Sequence, residues 1–275
     1  MITIKNLGVY KGRKQIIKDV SFEVCPARIS VIVGKNGAGK STLLEAIASG
    51  DTKATGTIRW DLKSMEQLGT KDLAYRRAVL SQHTEVAFSL PVHKLVEMGT
   101  YASEQVLPTE KIKALVHQAL SEVNMLDFAY RNFNTLSGGE RKRVLLAKCI
   151  VQLNCCHWSD VSKYLFLDEP TASLDIEQQF NFIELVKRLV KRRNIGVLAV
   201  LHDLNLAAQF ADEILMLKDG QLFSRGTPKE VLTKPKLLHV FGIYTIIKPH
   251  PVLDCLHITT LPKQFALQPF TNLAN

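Results

Sequence analysis

The chain has 275 residues, is 46% hydrophobic and 22% charged, and carries a formal net charge of +9. That composition is ordinary for a globular protein, and the length suits one large α/β domain with a smaller subdomain. No apolar run approaches the roughly 18–20 residues that span a bilayer, and Met1-Ile2-Thr3-Ile4-Lys5-Asn6 lacks the layout of a signal peptide, so a soluble, unexported protein is expected.

In chain order, alternation predicts strands at Ile2-Thr3-Ile4, from Ile16 to Val24 and at Ile29-Ser30-Val31-Ile32-Val33. The third runs straight into Gly34-Lys35-Asn36-Gly37-Ala38-Gly39-Lys40-Ser41-Thr42, with a helix from Ser41 to Ala48 behind it. Gly56 to Trp60 and Ala78-Val79-Leu80 read as further short strands. From Pro91 to about Asn134 apolar residues such as Leu95, Val96, Ile112, Val116 and Val123 recur at three- and four-residue spacing. This predicts a helical subdomain, about residues 88–150, inserted in the α/β core. Tyr164-Leu165-Phe166-Leu167 and Ile195 to Leu201 are continuous apolar runs of the kind found in buried parallel strands. Helices from Ile176 to Arg193 and from Leu204 to Ala211 alternate with them, as βαβ units require. Beyond Gly220 a hairpin and short helices lead into a Pro- and His-containing tail, residues 243–275. The expected fold is an α/β phosphate-loop core, a mixed sheet with flanking helices and an N-terminal antiparallel part.

The positive charge suggests an acidic partner, but the positives are spread out. The densest runs, Arg141-Lys142-Arg143 and Lys187-Arg188 with Lys191-Arg192-Arg193, fall on predicted helices and read as solvated faces, so no nucleic acid is expected as partner. Five cysteines without a C-x-x-C pair suit free thiols in a reducing cytosol, and Cys155-Cys156-His157 reads as loop or core rather than metal ligand.

Residues 34–42 have the form G-x-x-x-x-G-K-[ST]. In that pattern backbone N–H groups turn inward on a polyphosphate, Lys40 reaches the β/γ-phosphates and Ser41 faces Mg²⁺. Asp168-Glu169-Pro170-Thr171 follows an apolar strand. A carboxylate at that strand end holds Mg²⁺ in phosphate-loop proteins, which assigns Asp168 that part. Glu169, one residue on, is placed to orient or deprotonate an attacking water. Leu136-Ser137-Gly138-Gly139-Glu140 is a Gly-Gly turn opening a helix, a second element able to present N–H groups to an anion.

Together these motifs resemble the ATPase subunits of ABC transporters, over nearly the whole chain and in family order. On that resemblance residues 1–242 form the ATPase domain and bind ATP and Mg²⁺. Tyr10, 24 residues before Gly34, matches the aromatic that stacks on adenine, and Gln82 the glutamine that contacts Mg²⁺ and the attacking water. His202 in Val200-Leu201-His202-Asp203 matches the histidine on the γ-phosphate, and Ser173-Leu174-Asp175 the segment that crosses the dimer interface. Leu136–Glu140 matches the signature, whose Ser137, Gly138, Gly139 and Glu140 close on ATP held by another subunit. The resemblance thus implies a head-to-tail homodimer, a polytopic permease dimer, indirectly a periplasmic substrate-binding protein, and a peripheral place on the cytoplasmic face of the inner membrane. Departures from the pattern are Lys35, the stretch Arg141-Lys142-Arg143-Val144 where Gln-Gln-Arg-Val is frequent, and Lys148-Cys149 in place of Arg-Ala.

The absence of fused membrane segments favours an importer over an exporter, and that of a second cassette argues against the translation-factor and multi-cassette branches. Asp175-Ile176 with Gln178-Gln179, and Leu198 through Ala208, resemble the importer group for iron-siderophores, haem and cobalamin. Val151 to Ser162, which reads as an insertion, and the ending Val240-Phe241-Gly242-Ile243…Lys248-Pro249-His250-Pro251 resemble haemin-import ATP-binding proteins. A siderophore or cobalamin importer, or a soluble ATPase of iron–sulfur cluster assembly, are the other readings.

Overall fold

A computed structural model describes residues 1–49, 53–82, 86, 88–102, 107–155 and 161–263. The chain opens with β1 (Ile2–Lys11) and β2 (Lys14–Val24), paired antiparallel. β1 runs seven residues past the expected Ile2-Thr3-Ile4 because irregularities between Ile4, Leu7, Val9 and Tyr10 interrupt its inside–outside alternation. β3 (Ile29–Gly34) leads into α1 (Lys40–Ser49). β4 (Ala54–Trp60) and the two-residue β5 (Lys63–Ser64) complete a four-stranded sheet of order β2-β1-β4-β5.

After α2 (Thr70–Arg76) comes β6 (Arg77–Leu80). Helices α3 (Val92–Glu97), α4 (Thr109–Glu122) and α5 (Gly138–Asn154) follow, with short 3₁₀ turns between them. Two βα units come next: β7 (Tyr164–Asp168) with α6 (Ile176–Arg193), and β8 (Gly196–Val200) with α7 (Leu204–Phe210). β9 (Glu213–Lys218) and β10 (Gln221–Gly226) form a hairpin, and α8 (Pro228–Val231) and α9 (Lys234–Phe241) follow it. The second sheet has the order β10-β9-β3-β8-β7-β6, parallel from β9 to β6 with β10 antiparallel at one edge.

Strands β3, β7, β8 and β9 are almost entirely buried yet serve two cores in strict alternation. Val31, Val33, Leu165, Leu167, Val197, Ala199, Ile214 and Met216 pack with the helices α3 to α7. Ile32, Tyr164, Phe166, Leu198, Val200, Leu215 and Leu217 pack with α1 and the antiparallel sheet. A sheet covered on both faces leaves few polar positions, Ser30 being one, so the period of two fades from the sequence. Trp60, 0% exposed, joins the two sheets with its ring edge-on to Tyr164 at 5.3 Å and tilted against Phe166 at 5.9 Å.

The stretch read as an insertion is only partly described: Val151 to Asn154 form the last turn of α5, with Val151 and Leu153 buried, and residues 156–160, Cys156 and His157 among them, lie outside the described residues. Two other expectations read differently in the structure. The basic end of α6 is only partly solvated: Arg193 bonds Glu122 of α4, and Lys187 pairs with Glu184 at 3.5 Å. Within the C-terminal stretch β11 (Tyr244–Pro249) and β12 (Leu256–Leu261) form a hairpin fastened to α7. Asn205 Nδ2 donates to the Ile258 carbonyl at 3.1 Å, and the Ile258 N–H donates back to Asn205 Oδ1 at 2.7 Å. Among the described residues no helix is long and apolar enough to cross a membrane.

Candidate active site

β3, β8, β7 and β6 are parallel neighbours, so the loops at their carboxyl ends emerge on one side of the sheet. β3 delivers Gly34–Thr42, β7 delivers Asp168 and Glu169, β8 delivers His202, and β6 delivers Gln82. Motifs scattered over more than half the sequence thereby meet at one place.

The glycine loop turns through left-handed backbone at Gly37 (φ 79°) and Gly39 (φ 97°). At Gly39 a Cβ would also stand 2.7 Å from Ile17 Cδ1, so a side chain there would displace β2's Ile17 besides straining the turn. Lys40, only 6% exposed, donates through Nζ to the carbonyl oxygens of Gly34 at 3.0 Å and Lys35 at 3.1 Å. The loop is thus wrapped round its own ammonium. Burial lowers the Lys40 pKa, while Glu169 and Asp168 act in the opposite sense. Asn36 and Gly37 are exposed at the tip, and Ala38 is buried. Lys35 is exposed too, its Nζ beside Gly242 at the end of α9.

Ser41 Oγ donates to Asp168 Oδ1 at 2.9 Å. Burial raises the Asp168 pKa, the nearby carboxylates Glu169 and Glu45 add to this, and Ser41 and Lys40 oppose it. A hydroxyl and a carboxylate side by side, in a setting that disfavours further negative charge, are the hard oxygen donors a Mg²⁺ ion takes. Glu169 sits in left-handed backbone (φ 46°), a conformation uncommon for a glutamate and typical of over-determined sites. Its Oε2 accepts from Gln82 Nε2 at 2.6 Å and its Oε1 from His202 Nε2. Asp203 fixes the His202 loop by capping α7, accepting from the N–H groups of Asn205 at 2.7 Å and Leu206 at 3.1 Å. Tyr10, at the end of β1, shares a cavity of about 640 Å³ with Thr42, Glu45, Ser49 and Lys53.

The signature forms a separate group. Ser137 and Glu140 make a reciprocal capping box at the start of α5: Ser137 N–H donates to Glu140 Oε2 at 2.7 Å, and Glu140 N–H to Ser137 Oγ at 3.3 Å. The Ser137 N–H bond, more than any other contact, lowers the Glu140 pKa. Gly139 lies flush against α6, where a Cβ would come 2.2 Å from Gln178 Oε1, and Gly138 is next to Ser173. Asp175 caps α6 by accepting from the Gln178 N–H at 2.8 Å. The signature and the Ser173-Leu174-Asp175 segment therefore form one surface of a single chain.

Two residues of this region differ from their sequence reading, and Arg143, half-buried like Lys142, is one of them. Lys142, expected on a solvated helix face, is half-buried, and its Nζ donates to the Gln82 carbonyl oxygen at 3.0 Å. Its sequence signals are its place on α5, two residues after the signature, and the departure from Gln-Gln-Arg-Val.

Residues 17–172 match the family model described as ABC transporter. The chain is 36% identical to the hemin import ATP-binding protein HmuV of Gloeobacter violaceus, covering 100% of this chain and 99% of that one. It is 35% identical to the protein of the same name from Bordetella pertussis, over 90% of this chain and 95% of that one. Among solved structures it superposes on an inward-facing metal-chelate type ABC transporter with a TM-score of 0.80 at 25% identity, covering 96% of this chain and 98% of the other. On the dimeric ABC transporter cassette MJ0796 the TM-score is 0.71 at 25% identity, covering 83% and 99%. The motif-bearing loops, the two-sheet architecture and relatives matched end to end agree: the chain belongs to the ABC transporter family, as an ATP-hydrolysing subunit.

Proposed function

We propose that this chain energises haem uptake across the bacterial inner membrane, acting as a homodimer on the cytoplasmic face of a polytopic permease dimer served by a periplasmic haem-binding protein. The observation that carries the substrate is the end-to-end likeness, at 35–37% identity, to proteins named for hemin import. A second reading, uptake of an iron-siderophore or another metal chelate such as cobalamin, is favoured by the likeness to the metal-chelate type transporter. Deleting the gene and measuring growth on haem, on ferric siderophore and with cobalamin separates them. Loss of growth on haem alone supports the first reading; unchanged growth on haem with lost siderophore or cobalamin uptake supports the second.

In the mechanism proposed, Tyr10 stacks on the adenine of ATP and the backbone N–H groups of residues 34–42 surround its phosphates. Lys40 places a positive charge at the β/γ-phosphates. Ser41 and Asp168, with Gln82, would hold Mg²⁺, which when bound neutralises phosphate charge. Glu169 accepts the proton of the attacking water. Gln82 and His202 hold one carboxylate oxygen each, which fixes the direction in which Glu169 presents its lone pairs. Ser137, Gly138, Gly139 and Glu140 of one copy close on the γ-phosphate held by the other, and Asp175 lies at the contact between copies. Binding of two ATP molecules closes such a dimer and hydrolysis reopens it, and that motion drives the permease.

A further inference from the structure

β6 is the edge strand of the second sheet, and the carbonyls along an edge need partners from outside the sheet. Helix α5 supplies partners to β6 and to the residues just before and after it, with side chains in sequence. Gln152 Nε2 donates to the carbonyl oxygens of Ala74 at 3.1 Å and Arg77 at 2.9 Å. Cys149 Sγ lies 3.7 Å from the Val79 carbonyl oxygen, and Lys142 Nζ completes the row on Gln82 at 3.0 Å. The helix therefore runs antiparallel to the segment 74–82 and is bonded to it in register. Its N-terminus carries the signature, and the last carbonyl it grips belongs to the residue whose side chain holds Glu169.

The Lys142 contact differs from the others in its chemistry. Its donor is a half-buried ammonium, whereas the other donors are a carboxamide and a thiol. A charged donor held there makes a stronger bond to a carbonyl than a neutral one would. A continuous chain of hydrogen bonds results: Lys142 to the Gln82 backbone, the Gln82 side chain to Glu169, and Glu169 to His202.

We infer that Lys142 is a positioning residue for ATP hydrolysis, holding the Gln82 backbone so that the Gln82 carboxamide keeps Glu169 in line, and tying that alignment to the position of the signature helix. It acts through Gln82 and touches neither ATP nor the attacking water. The inference rests on the parts proposed above for Gln82 and Glu169. It adds a mechanical link between the signature that closes on one ATP and the carboxylate that works on the other.

The test is a double-mutant cycle on the full-length chain, with kcat, KM and nucleotide affinity measured for Lys142→Met, Lys142→Arg, Gln82→Ala and Lys142→Met/Gln82→Ala. Lys142→Met keeps the aliphatic stem and removes the ammonium. We expect it to lower kcat about tenfold, as a modest misplacement of a catalytic group does, with nucleotide affinity and melting temperature unchanged. Lys142→Arg, which retains a charged donor, should recover most of the rate. In the Gln82→Ala background the same Lys142→Met change should cost less than about twofold, since the side chain it positions is gone. An equal loss in both backgrounds, or a loss of nucleotide affinity in place of kcat, overturns the inference. A Gln82→Ala variant with full activity instead overturns the part given to Gln82, so the two failures are distinguishable. If Lys142→Met lowers the melting temperature, the Lys142→Arg variant decides: wild-type stability with kcat still depressed tenfold also counts against the proposal.

Discussion

Gln82 Nε2 and Glu169 Oε2 stand 2.6 Å apart although 87 residues separate them in the chain. Each lies just beyond the end of one of two neighbouring parallel strands, β6 and β7, so sheet pairing alone brings the two backbones side by side. With His202 on the other carboxylate oxygen, Glu169 has both oxygens engaged and one orientation available.

This geometry makes Glu169→Gln a change in chemistry with little change in shape. Glutamine can keep both neighbours but cannot take a proton from water. Hydrolysis should fall by roughly 10²–10⁴-fold while ATP affinity stays within a factor of two. Single-turnover hydrolysis beside an equilibrium nucleotide titration measures both, and retained turnover would remove Glu169 as the base.

A shared active site predicts complementation. Lys40→Ala should lose ATP affinity, because the buried ammonium that organises the loop carbonyls is gone. Ser137→Arg should leave nucleotide binding to a single chain near normal and abolish hydrolysis, since its target lies on the other copy. Mixing the two inactive variants creates heterodimers with one intact site, and measurable ATPase activity should return. No recovery on mixing, with heterodimers shown by mass, would count against sites built from two chains.

Thiol reactivity tests the packing of α5. Cys149 is 5% exposed and burial pushes its thiol up to about 12, so almost no thiolate forms there near neutral pH. Cys25 and Cys255 are half-buried free thiols. Alkylation of the native protein followed by peptide mass analysis should label Cys25 and Cys255 first, with Cys149 labelled only on unfolding. Because the native Cys149 value is raised, its protection should persist as pH is increased to about 10 and fail only nearer 12. Labelling of Cys149 at pH 8 in folded protein would contradict the contact with β6.

Trp60 should dominate the joint between the two sheets. Removing a fully buried indole that packs on Tyr164 and Phe166 leaves a large cavity, so Trp60→Ala should cost about 3–5 kcal/mol in urea unfolding. The indole Nε1 is buried with no hydrogen-bond partner among the described residues, so Trp60→Phe surrenders no bond seen there and should cost less than half as much. Equal losses for the two would mean that ring packing is not what holds the sheets together.

Local pattern in the sequence was enough for the glycine loop, the carboxylates after an apolar strand, the signature turn and the alternation of strands and helices. Each of these depends on a few adjacent residues meeting a backbone requirement, as at Gly39, or on a run of apolar side chains, as in Tyr164 to Leu167. The resemblance to a known family named the rest of the candidate residues, and the tertiary structure decided which of them meet. Gln82, Glu169 and His202 converge because three parallel strands end side by side, a consequence of pairing between segments far apart that no local window contains. Lys142 reads as surface charge in its own helix and becomes half-buried only because α5 lies along the open edge of β6. The hairpin that follows α9 is likewise held from a distance, by the Asn205 carboxamide reaching a strand 53 residues later and by Ile258 buried in the core. Sequence by itself determined the chemical groups and their backbone turns; the packing of helices against sheet edges, set by long-range burial, determined which groups act on one another.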